Sequence, residues 1–162
     1  VQRVIDRVGE IYLKMEKRPV LNDGVDELLR ILDSKPDVRL GVLTGNLSTV
    51  AEEKLLLTGI RKYFDETFYS NGYFDRGDLV WNALHVSARK YRLSDSTAVT
   101  IVGDTPRDIE AARANGANAI GIASGFYSLD QLVDAGATAV FGNLIPCSEL
   151  LGALGVEIDE LQ

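Results

Sequence analysis

The chain has 162 residues, 46% of them hydrophobic, and a formal net charge of −7, the size and balance of one globular domain with a sizeable core. No apolar run approaches the roughly 20 residues that cross a bilayer, no secretory leader pattern is evident, and scattered acidic residues argue against nucleic acid or an anionic membrane as partner. The one cysteine, Cys147, excludes an internal disulfide framework and fits a reducing compartment, so a cytoplasmic protein is expected.

Val4, Ile5, Val8, Ile11, Tyr12 and Met15 recur at helical spacing and predict a helix over 2–17, stopped at Arg18-Pro19. Asp23 reads as the cap of a second helix whose stripe is Val25, Leu28, Leu29 and Leu32. Val38–Leu43 reads as a strand buried on both faces, followed by Thr44-Gly45-Asn46 and a helix over 47–58. A short strand, Glu66–Tyr69, leads into a turn at 70–72, and a helix over 79–91 presents Val80, Ala83, Leu84, Ser87 and Ala88 inward. The apolar run 98–102 then breaks at Gly103 into Asp104-Thr-Pro-Arg-Asp108 and a helix over 109–116. A strand over 117–123 ending in Ser124-Gly125, a helix over 129–135, a strand over 137–141 and a helix over 145–154 complete the pattern, with a frayed tail from Gly155. Strands alternating with helices through short links predict an α/β fold with a doubly wound parallel sheet.

In such sheets ligands collect where strands end and helices begin. Asp104 and Asp108, four residues apart in one such turn, are hard oxygen donors suited to Mg²⁺ shared with a phosphate. The competing explanation is a capping Asp and a first-turn Asp placed for the helix dipole. Thr44 offers a hydroxyl, and the amides of Gly45 and Asn46 precede a helix where an anion can bind; simple capping by Thr44 or Asn46 is the alternative. Arg76, in a turn before a helix, could add fixed positive charge, or simply pair with Asp75 or Asp78. His85 and Trp81 read as packing residues, and Cys147 as structural.

A strand ending in Thr44-Gly-Asn46, the Asp75-Arg76 turn and a strand ending in Gly103-Asp-Thr-Pro-Arg-Asp108, in this order, resemble the haloacid dehalogenase superfamily, nearest to its phosphoglycolate-phosphatase-like hydrolases. The resemblance covers 19–151 and implies a Rossmann-like core. It casts Thr44, with Gly45 and Asn46, as the phosphoryl-binding segment. Arg76 stands where the family has a charge-balancing lysine, Asp104 matches the Mg²⁺ ligand, and Asp108 the acid that supports the metal. The family's nucleophile lies in an Asp-x-Asp-x-Thr strand, and no such segment is present: the only aspartate before Asp23 is Asp6.

The resemblance therefore implies a core at 19–154 without its first central strand, a remnant of a helical cap at 1–18, and a tail at 155–162. The strands ending at Leu43 and Val102 would flank the missing one. They would either close on each other or accept a segment of another copy, giving a strand-exchanged homodimer. The expected function is the C-terminal part of a Mg²⁺-dependent phosphatase that acts on a small phosphorylated metabolite through an aspartyl phosphate. This chain alone is expected to be inactive. The alternatives are a non-catalytic phosphate- or metal-binding module and a dehalogenase-branch hydrolase. A dinucleotide-binding domain is disfavoured, because no G-x-G-x-x-G opens a helix.

Overall fold

The computed structural model describes residues 19–70, 75–94 and 99–156. The expected helix over 2–17, most of the turn at 70–72 and the tail beyond Val156 lie outside them. Helix α1 (Val25–Asp33) buries Leu28 and Leu32, one turn apart. Its N-cap is Gly24 rather than Asp23, with no side-chain cap; the Asp23 carbonyl instead accepts from the amide of Leu144.

Strand β1 (Gly41–Thr44) leads through a bend to α2 (Ser48–Leu57), a 3₁₀ turn (Arg61–Tyr63) and β2 (Glu66–Tyr69). Helix α3 (Arg76–Tyr91) begins three residues before the expected Leu79, because the Asp75 carboxylate accepts from the Gly77 amide and caps it. Arg76 is thus the first helical residue and not part of a turn. Of the expected inner face, Val80 and Ala83 are buried, whereas Ala88 is exposed. Then follow β3 (Thr100–Gly103), α4 (Pro106–Ala114), β4 (Asn118–Ile122), α5 (Leu129–Asp134), β5 (Ala139–Phe141) and α6 (Ser148–Ala153).

The α/β class and parallel pairing are as expected, but the sheet is in two parts. β1 pairs with β2 in parallel from Gly41↔Glu66 to Thr44↔Tyr69. β4 pairs in parallel with β3 on one side and β5 on the other. Among the described residues β1 and β3 do not pair, so each keeps one open edge. The expected strand buried on both faces is accordingly shorter and only half-buried, with Val38 and Leu40 in the lead-in.

Three apolar clusters hold this arrangement. Leu28 and Leu32 of α1 meet Leu150, Leu151 and Val156, with Leu40 and Phe141 at the margin, so α1 and α6 clamp the two parts of the sheet together. Val156 belongs to this core, which places the start of the expected frayed tail inside the fold. Ile109, Ala112, Ala119 and Leu132 press α4 and α5 onto β4. Leu55, Ile60 and Tyr63 close α2 over Val42. On the other side α3 packs against β1, β2 and α4.

Candidate active site

Thr44 is the last residue of β1, and the chain bends at Gly45-Asn46 before α2. The Asn46 backbone amide lies 3.1 Å from Thr44 Oγ1 and its side-chain Nδ2 3.2 Å from the same oxygen. A hydroxyl has two lone pairs and one proton. Two donors occupy the lone pairs, so the Thr44 hydroxyl is left to donate. The Asn46 amide is therefore spent on Thr44 and not offered to an anion, which removes one of the two amides of the expected cradle. Neither Thr44 nor Asn46 caps α2, whose N-cap is Leu47 without a side-chain bond.

The turn after β3 resolves its two aspartates into different tasks. Thr105 is the N-cap of α4, Pro106 opens the helix, and Asp108 at the third position completes a capping box. Asp108 Oδ2 accepts from the Thr105 hydroxyl at 2.8 Å and its amide at 3.3 Å. Asp108 Oδ1 takes Arg76, with Nε at 2.6 Å and Nη2 at 2.5 Å. The carboxylate is buried, at 5% exposure, and both its oxygens are engaged. A Cβ at Gly103 would collide with Asp108, so only glycine lets the end of β3 lie against this side chain. The capping alternative thus fits Asp108, with Thr105 in the role expected of an aspartate.

Asp104 is exposed and makes no hydrogen bond or ion pair with another described residue. A Cβ at Gly125 would stand 2.9 Å from Asp104 Oδ2, so the carboxylate rests against the glycine that follows β4. One unengaged carboxylate is the donor chemistry Mg²⁺ favours, since that ion keeps most of its waters and shares a phosphate instead of filling a protein cage. No cluster of three or more His, Cys, Asp or Glu able to hold a metal occurs among the described residues.

These contacts run along one edge. Ser70, just past β2, donates to the Gly45 carbonyl just past β1 at 2.6 Å. Arg76 and Asp108 join the first turns of α3 and α4, the helices that follow β2 and β3. Asp104 and Gly125 join the ends of β3 and β4. The ends of β1 and β2, the first turns of α3 and α4, and the ends of β3 and β4 are thus tied in pairs by Gly45–Ser70, Arg76–Asp108 and Asp104–Gly125, while Thr44, at the end of β1, bonds locally to Asn46. Sequence reasoning passed over Ser70 and Thr105. Thr105 had a local signal in the Thr-x-x-Asp capping spacing; Ser70 had none.

Glu52 on α2 accepts from Tyr69 Oη, at the end of β2, from Arg61 Nε at 2.9 Å and from Thr67 Oγ1 at 3.4 Å. The Tyr69 hydroxyl lowers the Glu52 pKa, helped by Arg61 and Thr67 and opposed by partial burial. Burial, together with the bond to Glu52, raises that of Tyr69. Trp81 and His85 are exposed instead of packed inward, stacked with ring centroids 3.8 Å apart. Cys147 is exposed, at the start of α6.

The chain is similar to known proteins in sequence and in fold. The haloacid dehalogenase-like hydrolase family matches residues 1–122. A relative from Clostridium perfringens that carries the name pyrophosphatase PpaX is 33% identical over 108 residues, 67% of this chain and 49% of its own length. The chain thus spans about half the length of that curated relative. A hydrolase from Pseudomonas syringae superposes with a TM-score of 0.71 at 23% identity, covering 95% of this chain and 68% of that one. YfnB from Bacillus subtilis, named as a HAD-hydrolase and solved bound to magnesium, superposes with a TM-score of 0.62 at 19% identity, over 84% of this chain and 56% of its own. No helix among the described residues is long and apolar enough to cross a membrane.

Proposed function

This chain belongs to the haloacid dehalogenase-like hydrolases, and we propose that it carries the phosphoryl-binding and cation-holding edge of a phosphatase for a small phosphorylated metabolite. The observation that carries this reading is Asp104: an exposed carboxylate without a described partner, on the same edge as a hydroxyl that can only donate. Thr44 would donate to a phosphoryl oxygen. Asp104 would hold Mg²⁺, which supplies charge neutralisation at the phosphoryl group when bound. Arg76 adds fixed positive charge nearby, and Asp108 holds the guanidinium in place through the helix cap.

The nucleophile in this reading comes from outside the described residues. Among the described residues β1 and β3 each keep an open edge, and a further parallel strand pairing with both would bring a carboxylate between Thr44 and Asp104. The resembling family carries Asp-x-Asp-x-Thr on such a strand. A second copy of this chain in a strand-exchanged dimer would fill the open edges without bringing that segment, which these 162 residues do not contain. In this reading the nucleophile is therefore supplied by another polypeptide segment, and sedimentation of the purified chain tests the exchange alone.

The test is hydrolysis of p-nitrophenyl phosphate in MgCl₂. The 162-residue chain is expected to show no turnover. Joined behind the N-terminal half of a full-length relative, it is expected to turn over, with Asp104→Asn or Thr44→Val costing about 10²–10³-fold. Turnover by the chain alone contradicts the missing nucleophile, and a silent fusion that still binds phosphate favours a binding module.

A further inference from the structure

The bend after β1 is exposed, and nothing lies within 4 Å of where a Gly45 side chain would begin. Packing therefore does not orient the Gly45–Asn46 peptide. Hydrogen bonds do, at both of its ends. Its carbonyl accepts from Ser70 Oγ at 2.6 Å, and its amide donates to Thr44 Oγ1 at 3.1 Å. In a trans peptide the C=O and N–H point in opposite directions, so holding the carbonyl toward β2 fixes the amide toward Thr44. Ser70 Oγ also lies 3.4 Å from the next carbonyl, that of Asn46. A serine 25 residues away in sequence thus decides which way this plane faces.

From this we propose that Ser70 is a positioning residue for the phosphoryl site: it locks the Gly45–Asn46 peptide so that the Thr44 hydroxyl accepts from the protein and donates to the ligand. Without the Ser70 hydroxyl the plane is free to turn over. The Thr44 oxygen then loses a donor and regains a lone pair, and a carbonyl dipole replaces the amide beside it. Both changes disfavour an acceptor-only ligand such as a phosphate oxyanion. Ser70 touches no ligand in this scheme and acts through Thr44. The proposal rests on the phosphoryl-binding reading for its consequence, though not for the lock itself.

Two readouts on the full chain test it, with Ser70→Ala and Ser70→Thr. The first is hydrogen exchange of the Asn46 backbone amide without ligand, followed by NMR. The second is affinity for inorganic phosphate in excess MgCl₂. Ser70→Ala is expected to speed Asn46 exchange severalfold and weaken phosphate about tenfold, equivalent to about 1.4 kcal/mol, at unchanged thermal midpoint. Ser70→Thr, which keeps the hydroxyl, restores both. Wild-type exchange at Asn46 in Ser70→Ala overturns the lock, as does a loss in Ser70→Ala that Ser70→Thr fails to restore. If the wild-type chain binds no phosphate, the functional reading fails while Asn46 exchange still decides the lock.

Discussion

Strands β4 and β1 both run toward the functional edge, yet only β4 is a core strand. Ala119, Ile120 and Ile122 of β4 are 0%, 1% and 3% exposed, whereas no residue of β1 is buried. The composition hardly distinguishes them, since Asn-Ala-Ile-Gly-Ile and Gly-Val-Leu-Thr are similarly apolar. Neighbours do. β4 is paired on both sides and covered by α4 and α5, whereas β1 is paired on one side, and β3, likewise paired on one side, leaves Val102 43% exposed. Burial in a parallel sheet comes from covered faces and paired neighbours together, and among the described residues β4 alone is paired on both edges.

The widest gap is expected between Ile120→Ala and Val42→Ala. The first opens a cavity in a closed core and should cost about 3–4 kcal/mol. The second trims a half-buried side chain and should cost about 1 kcal/mol. Urea denaturation measures both, and equal losses would break the contrast.

Next comes the tie between the two parts of the sheet. Asp108→Ala strands Arg76, whose side chain is 26% exposed, and removes the α4 capping box, at an expected cost of about 2–3 kcal/mol. Arg76→Met with Asp108→Ala should lose less than the sum of the two singles, because neither charge is then left unpaired.

The smallest effect belongs to the Glu52–Tyr69 pair on the β1–β2 part. The lowered Glu52 pKa contributes stability above the ordinary carboxylate value, lost as pH falls through its folded pKa. The raised Tyr69 pKa contributes stability below about pH 10, lost as pH rises through its folded pKa. Tyr69→Phe should therefore flatten both limbs of the thermal midpoint against pH, by about 1 kcal/mol or less for groups this open to solvent.

How far sequence reached follows from what is local. Glu66–Tyr69 was legible to the residue, because β-branched and aromatic residues end there at a turn. The motif after β3 was legible as a site, since a buried run emptying into Gly-Asp is a short-range pattern. The division of labour between Asp104 and Asp108 was not, because it depends on an arginine 32 residues away. The early start of α3 depends on Asp75 turning back on Gly77, a cap that the Arg-Gly pair after it obscures. Trp81 and His85 read as packing from their place in mid-helix, but they sit on the solvent side of α3 and stack on each other. Ser70 was invisible for the same reason as the Arg76 pair: a hydrogen bond between two loops leaves no periodicity.

The central claim is that the end of β1 and the end of β3 serve one ligand. Mn²⁺, a paramagnetic stand-in for Mg²⁺, tests it when added with inorganic phosphate while backbone amide resonances are followed. The account predicts that Gly103, Asp104 and Thr105 broaden together with Gly45 and Asn46, and that Asp104→Asn abolishes both sets. Broadening confined to one strand end, or unaffected by Asp104→Asn, would contradict it.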